Sequence, residues 1–426
     1  MLFAEALSEG PISSQERQRL DLAASALGID AMRLARLEAA LLAAYEARSA
    51  PVTTATAKPD SLAERESMRP RKGTMPEVTE AEPRPGQAAR RGPIVLKSGI
   101  PLPFAPEPDA NAELHERFLT AQLDDKFRVA AVLARRHLAT DHESAIHEAH
   151  RPRSPLRPMQ ALTAEAWSNH LLHPEQDRVT GEIFSVIASA ALLGRVSAMR
   201  RDRSLPKLDP DMKQDPATST VSATRALTWA SATMGMKEPT IYLAPDTDSG
   251  MDVVISLPPA LRIGSRMLRG QSAIALAFHC GRVLSWFRSE HFVCTLVPHL
   301  AYLEDLFLAA LRIGAPALPM PAEVRARVDV VRDAILPVLE PAQIASLRFH
   351  VSAFVERGGR TNLRAWAHAA ELTACRAGLL LCGDLHVATA IVASEPNGQE
   401  RIDDLEAFWT SEHCASLRAQ LGFAIV

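Results

Sequence analysis

Apolar residues recur at helical spacing along most of this chain, and the clearest such run is Ser272 to Phe287, SAIALAFHCGRVLSWF. Ala273, Ile274, Leu276, Ala277, Cys280, Val283, Leu284 and Phe287 follow a helical period, and Ser272 is placed to cap the start. The pattern predicts a buried helix. His279 and Arg282 interrupt it, and polar groups of that kind are rarely buried without a partner, so the surroundings are expected to answer them. This helix is therefore the first candidate for a site.

The same patterning divides the chain. Residues 1–48 read as a small helical unit: Ser13 and Glu16 have capping-box spacing, Leu20, Ala23, Ala24 and Leu27 form a stripe, and Gly28 ends it. Residues 49–108 lose all periodicity and are rich in Pro, Thr, Ser, Glu and Arg, which predicts a flexible linker whose charges are solvated. Residues 109–150 predict a helical pair, with Leu114, Phe118 and Leu119 facing Phe127, Val129, Val132 and Leu133, and the pair is expected to pack on the larger domain after it. From 151 to 426 the pattern is again mostly helical, including a long run from Asn362 to Ser394. The β signals are TIYLAP (Thr240–Pro245) and DVVISL (Asp252–Leu257), expected to form a hairpin or small sheet, with LRIG at 261–264 as a further strand. The fold class expected is mainly α with a small β-sheet.

Composition agrees, with 47% hydrophobic but only 5% aromatic residues and an apolar content dominated by Ala and Leu. A formal charge of −3 creates no field that would draw nucleic acid or an anionic membrane. Five scattered cysteines, at 280, 294, 375, 382 and 414, suit a reducing compartment better than a disulfide framework. The run from Ile183 to Gly194 is shorter than the ~20 residues of a membrane helix, and the first residues lack the pattern of an export signal. A cytoplasmic location without membrane insertion is expected.

Several histidines and cysteines invite a metal reading. His137, His142, His147 and His150 lie close together, His170 and His173 are three apart, and His368, Cys375, Cys382 and His386 would share one side of a continuous helix. None of these sets supplies a regular ligand pair together with a second element, so they are expected to be structural or surface residues. Cys280 and His279 are adjacent, and adjacent helical side chains point about 100° apart, which is poor geometry for a nucleophile and its base.

The order of a strand signal, then LAFHCGRVL, then a later helix carrying ELTACRAGLLLCGD resembles the HtpX-like zinc metallopeptidase family over residues 220–395. In that family a His-Glu-x-x-His helix and a later Glu-x-x-x-Asp helix build the zinc site, with two histidines one turn apart as ligands and the intervening Glu as general base. Aligned by its flanks, LAFHCGRVL stands where the family has LAHELGHIL. The resemblance then places Phe278 at the first His, His279 at the general base, Arg282 at the second His, Glu371 at the third ligand and Cys375 at the orienting Asp. Phe has no donor atom and a protonated Arg cannot coordinate a cation. Together with HRPRSPLRP, PTIYL and the terminal RAQLGF, the arrangement is similar to the carboxy-terminal region of uncharacterised bacterial tetratricopeptide-containing proteins. Residues 109–150 resemble one tetratricopeptide-like helical pair, and 1–48 resemble a TerB-like helical module.

The resemblance implies a degenerate, catalytically inactive domain with vestigial positions Phe278, His279, Arg282, Glu371 and Cys375, no metal or cofactor, and unidentified protein partners. One corollary is that Arg282 neutralises Glu371 where the metal would sit. The alternatives are a zinc hydrolase with ligands rewired from His279, Glu371, Cys375 and His368, and a peptide-binding module using the vestigial cleft against the sheet's edge.

Overall fold

The computed structural model describes residues 110–297 and 299–426, so the units expected at 1–48 and 49–108 lie outside the described residues. What is described is mainly α-helical with one small β-sheet, as the patterning predicts.

Three helices come first: α1 (Ala110–Thr120), α2 (Leu123–Arg135) and α3 (Asp141–His150). Thr140 opens α3 with a capping box, its hydroxyl accepting from the Glu143 amide while the Glu143 carboxylate accepts from the Thr140 amide. Phe118, Val129, Ala130 and Leu133 form a small core here. Leu119, expected in that contact, is instead 73% exposed. Successive helical residues diverge by about 100°, so Phe118 reaches the partner helix and Leu119 faces away. The other side of α2 packs on the larger domain, as expected of the pair, but it does so through Phe127 and Val132, expected to face α1: with Ala131 they belong to the same core as Trp409 and Leu417 near the carboxy terminus.

Helix α4 (Arg178–Arg201) is capped by Asp177 and extends well beyond the apolar run read from sequence. Its 24 residues have the length and hydropathy of a membrane span, but 61% of the most apolar window is buried inside the protein. Ile183, Phe184 and Ile187 are fully covered by neighbouring helices, so here it serves as a core helix.

The sheet comes next, interleaved with one helix: β1 (Lys213–Gln214), α5 (Ser222–Thr233), β2 (Thr240–Ala244), β3 (Met251–Val254) and β4 (Ala260–Gly264). The strand order is β1-β2-β4-β3. Of the two arrangements expected, a hairpin or a small sheet, the sheet forms, without a direct pairing of β2 with β3. Instead β4 lies between them, parallel to β2 with Thr240 opposite Ala260, and antiparallel to β3 with Val254 opposite Ala260. The reason is burial: Ala260, Leu261, Ile263 and Gly264 are all covered, and a strand so buried satisfies its backbone groups by pairing on both edges. The LRIG strand expected from sequence is thus, with β2, an interior strand of the sheet.

The longer helices that follow are α6 (Ala273–Ser285), α7 (Ser289–Leu296), α8 (Leu300–Gly314), α9 (Ala322–Ile335), α10 (Pro341–Glu356), α11 (Leu363–Cys382), α12 (Leu385–Ala393), α13 (Gly398–Trp409) and α14 (Glu412–Leu421). The run from Asn362 to Ser394 is therefore two helices. Gly383 ends α11 in the left-handed region at φ 65°, and Asp384 caps α12 by accepting from the Val387 amide. Helix α11 joins two hydrophobic cores: Leu363 and Trp366 belong to one with α4 and α7–α10, while Cys375, Ala377 and Leu379 belong to the other with α5, α6, the sheet and α12–α14.

Candidate functional site

Helix α6 forms as the pattern predicts, with the Ser272 hydroxyl accepting from the Ala275 amide at 3.1 Å. It crosses α11 at very close range because each helix presents a glycine. A Cβ on Gly281 would lie 2.6 Å from the Ala377 carbonyl oxygen, and one on Gly378 would lie 2.8 Å from Phe278. Phe278 is fully buried, with its ring against Gly378. The position matched to a first ligand thus contributes apolar packing at the contact between the two helices.

One turn further along, Arg282 does not pair with Glu371. Its guanidinium donates to both oxygens of Glu395, at 2.5 and 2.8 Å. Glu395 also accepts from Arg401, whose other nitrogen donates to Glu371 at 2.9 Å. The expected Arg282–Glu371 contact is therefore replaced by an alternating chain, Arg282–Glu395–Arg401–Glu371. The physical reason is placement. Glu395 lies just past the end of α12 and reaches Arg282 bidentately, whereas the Glu371 side chain is 45% exposed and needs no buried neutraliser. Burial works to raise the Glu395 carboxyl, but the hydrogen bond and charge of Arg282 and the charge of Arg401 together hold it below the usual range.

His279 lies beside this chain. Burial, reinforced by the Arg282 charge and opposed by Glu395, pushes its imidazole down to about 4, so it is neutral near pH 7. Cys375 is fully buried, and burial pushes its thiol up to about 11 against the pull of Arg282 and Arg401. Cys280 is likewise buried, with its thiol held up by desolvation and its sulfur 4.0 Å from that of Met251. Neither sulfur has the environment of a nucleophile.

The other histidines separate. His368 contacts Glu400 at 2.9 Å, and the break at Gly383 puts His386 on a different helix from His368, Cys375 and Cys382. His386 stacks on His147 with centroids 4.8 Å apart, His142 meets the Phe118 ring edge-on, and His137 is exposed in a turn. His170 and His173 diverge. The Nδ1 of His170 meets that of His413 at 3.1 Å, while the Nε2 of His173 lies 3.3 Å from Asp404. Among the described residues no group of three or more His, Cys, Asp or Glu side chains is arranged to hold a metal ion.

Sequence reasoning placed His279, Arg282, Glu371 and Cys375 in one neighbourhood but missed Glu395 and Arg401. No local pattern marks either. The usable signal was the requirement that a partly buried Arg282 have a carboxylate, and Glu395 is 113 residues away. No family model, no curated protein and no solved structure matches this chain.

Proposed function

We propose that this chain is a non-catalytic interaction module built on a peptidase-like helical frame, acting on protein partners in the cytoplasm. The observation that carries this reading is the Arg282–Glu395–Arg401–Glu371 chain beside a buried Phe278. Where a hydrolase would need a divalent cation between two helices, this frame has a guanidinium bound to a carboxylate and an aromatic ring against a glycine. That arrangement supplies fixed charge and packing, and it offers no lone pair from position 278 or 282. Five free cysteines support the reducing compartment.

Elemental analysis of the purified chain, run with a peptide-library cleavage assay, tests the proposal. Substoichiometric zinc and an uncut library are expected. One zinc per chain that is lost in Glu371→Gln, with cleavage lost in parallel, would establish a rewired hydrolase instead.

A further inference from the structure

A cleft of about 670 Å³ opens beside α6, within the size range of about 300–1,000 Å³ typical of small-molecule sites. Its walls come from three places: the segment after β4, the middle of α6, and the end of α12. Met267, Ile391 and Pro396 give it an apolar floor, and Arg266, Arg269 and His279 give it a polar side.

The charge on these walls is unbalanced. Glu395 is the acid among the lining residues, and both its oxygens are already taken by Arg282 and Arg401. Arg266 is held at the surface, its Nε 3.4 Å from the Asp248 carboxylate and a terminal nitrogen donating to the Asp248 carbonyl at 3.2 Å, with both side chains more than half exposed. Arg269 is exposed and has no ion-pair or hydrogen-bond partner among the described residues. The His279 imidazole lines the same wall and can donate one hydrogen bond in its neutral form. An unclaimed guanidinium, a second one held at the surface and a neutral donor over an apolar floor are complementary to an anionic head on a short apolar body.

We propose that this cleft binds a small amphiphilic anion, its carboxylate or phosphate head held by Arg269 with Arg266, and its apolar body lying on Met267, Ile391 and Pro396. The site rests on the cleft's own walls and stands whether or not the frame is catalytic. Its test is therefore separate from that of the proposed function.

Calorimetric titration of the full chain with hexanoate and with hexyl phosphate reads the site, with hexanol and inorganic phosphate as single-feature probes. One-to-one binding of either anion, with hexanol and inorganic phosphate each at least about tenfold weaker, is expected. Arg269→Glu is expected to weaken that binding by about tenfold or more, since it removes a charge-assisted contact and adds a repulsive one. Arg266→Glu is expected to weaken it less, because Asp248 already shares that side chain. Both positions are exposed, and an unchanged melting temperature in each variant confirms that the fold is intact. The proposal is overturned if neither anion binds, if Arg269→Glu binds as the parent does, or if inorganic phosphate matches hexyl phosphate.

Discussion

Among the alternating-charge chains of the described residues, the one at Asp124 and the one at Glu395 differ in depth. In the first, Asp124 on α2 accepts from Arg418 on α14 at 2.8 Å and from Arg128 at 3.1 Å, with both guanidinium side chains only 2% exposed. Arg418 also lies over the rings of Trp409 and Phe127, and Arg128 donates to the Trp409 carbonyl at 2.7 Å. In the second, Arg282 and Glu395 are each about a quarter exposed and Glu371 nearly half exposed, and Glu395 lines an open cleft. The first is sealed by aromatic rings and fastens the opening helices to the last ones. The second keeps a face toward solvent and holds charge in place where α6, α12 and α13 meet. Buried ion pairs are costly to break because the surviving partner is stranded, whereas exposed ones contribute little, so the two should respond very differently to substitution.

The largest expected effect is at the sealed chain. Asp124→Ala leaves the buried Arg418 guanidinium without a carboxylate and Arg128 with Asp125 as its remaining one, and is expected to destabilise by about 3–5 kcal/mol in urea unfolding. A loss below about 1 kcal/mol, the range of exposed pairs, would erase the contrast between the two chains. Next comes the helix contact that supports the cleft-side chain. Gly281→Ala drives a methyl against the Ala377 carbonyl on α11, with a cost of about 1–3 kcal/mol expected from overpacking. A neutral result would mean that α6 and α11 have room to separate there.

Acidification sharpens the comparison further. Burial holds the His279 imidazole down to about 4, with Arg282 adding to the effect and Glu395 opposing it. Burial does the same to His291, against the Glu290 charge and the Ser285 carbonyl, again to about 4. In the unfolded chain an imidazole titrates near 6.5, so between roughly pH 6.5 and 4 the unfolded state binds more protons. Stability is therefore expected to fall as pH drops through that window, by at most about 1.4 kcal/mol per pH unit for each group. Burial raises the Asp124 carboxyl, but the hydrogen bond and charge of Arg418, the Ile425 amide and Arg128 outweigh it and hold the group below its ordinary value. Its contribution is present above the unfolded carboxyl range and is lost only at lower pH, so the sealed chain should outlast the histidines. Unfolding midpoints from pH 7.5 to 4, with His279→Gln as the control expected to flatten the slope, check the order of loss.

Local features of the fold were legible in the sequence, and features set by distant packing were not. Helix α6 and its Ser272 cap are local, and both were readable from period and capping chemistry. The LRIG strand was also readable, but its interior position was not, because strand order is decided by which strand the helices bury. The stop at Gly383 was present as a Gly followed by an Asp cap, yet the apolar residues on both sides continue the helical period and mask it. Glu395 carried no local signal: its role comes from the packing of α12 on α6, which brings a carboxylate to Arg282 from far along the chain. Glu371 failed as the expected partner for a related reason, since its side chain turns toward Arg401 and solvent.

The most direct test of the claim that an ion pair stands where the frame would hold a cation is a double-mutant cycle on Arg282→Met and Glu395→Ala, measured by urea unfolding with excess chelator present. A favourable coupling of about 0.5–1 kcal/mol is expected, unchanged when the chelator is replaced by zinc. A coupling within about 0.3 kcal/mol of zero, or stability that rises with added zinc, would contradict it.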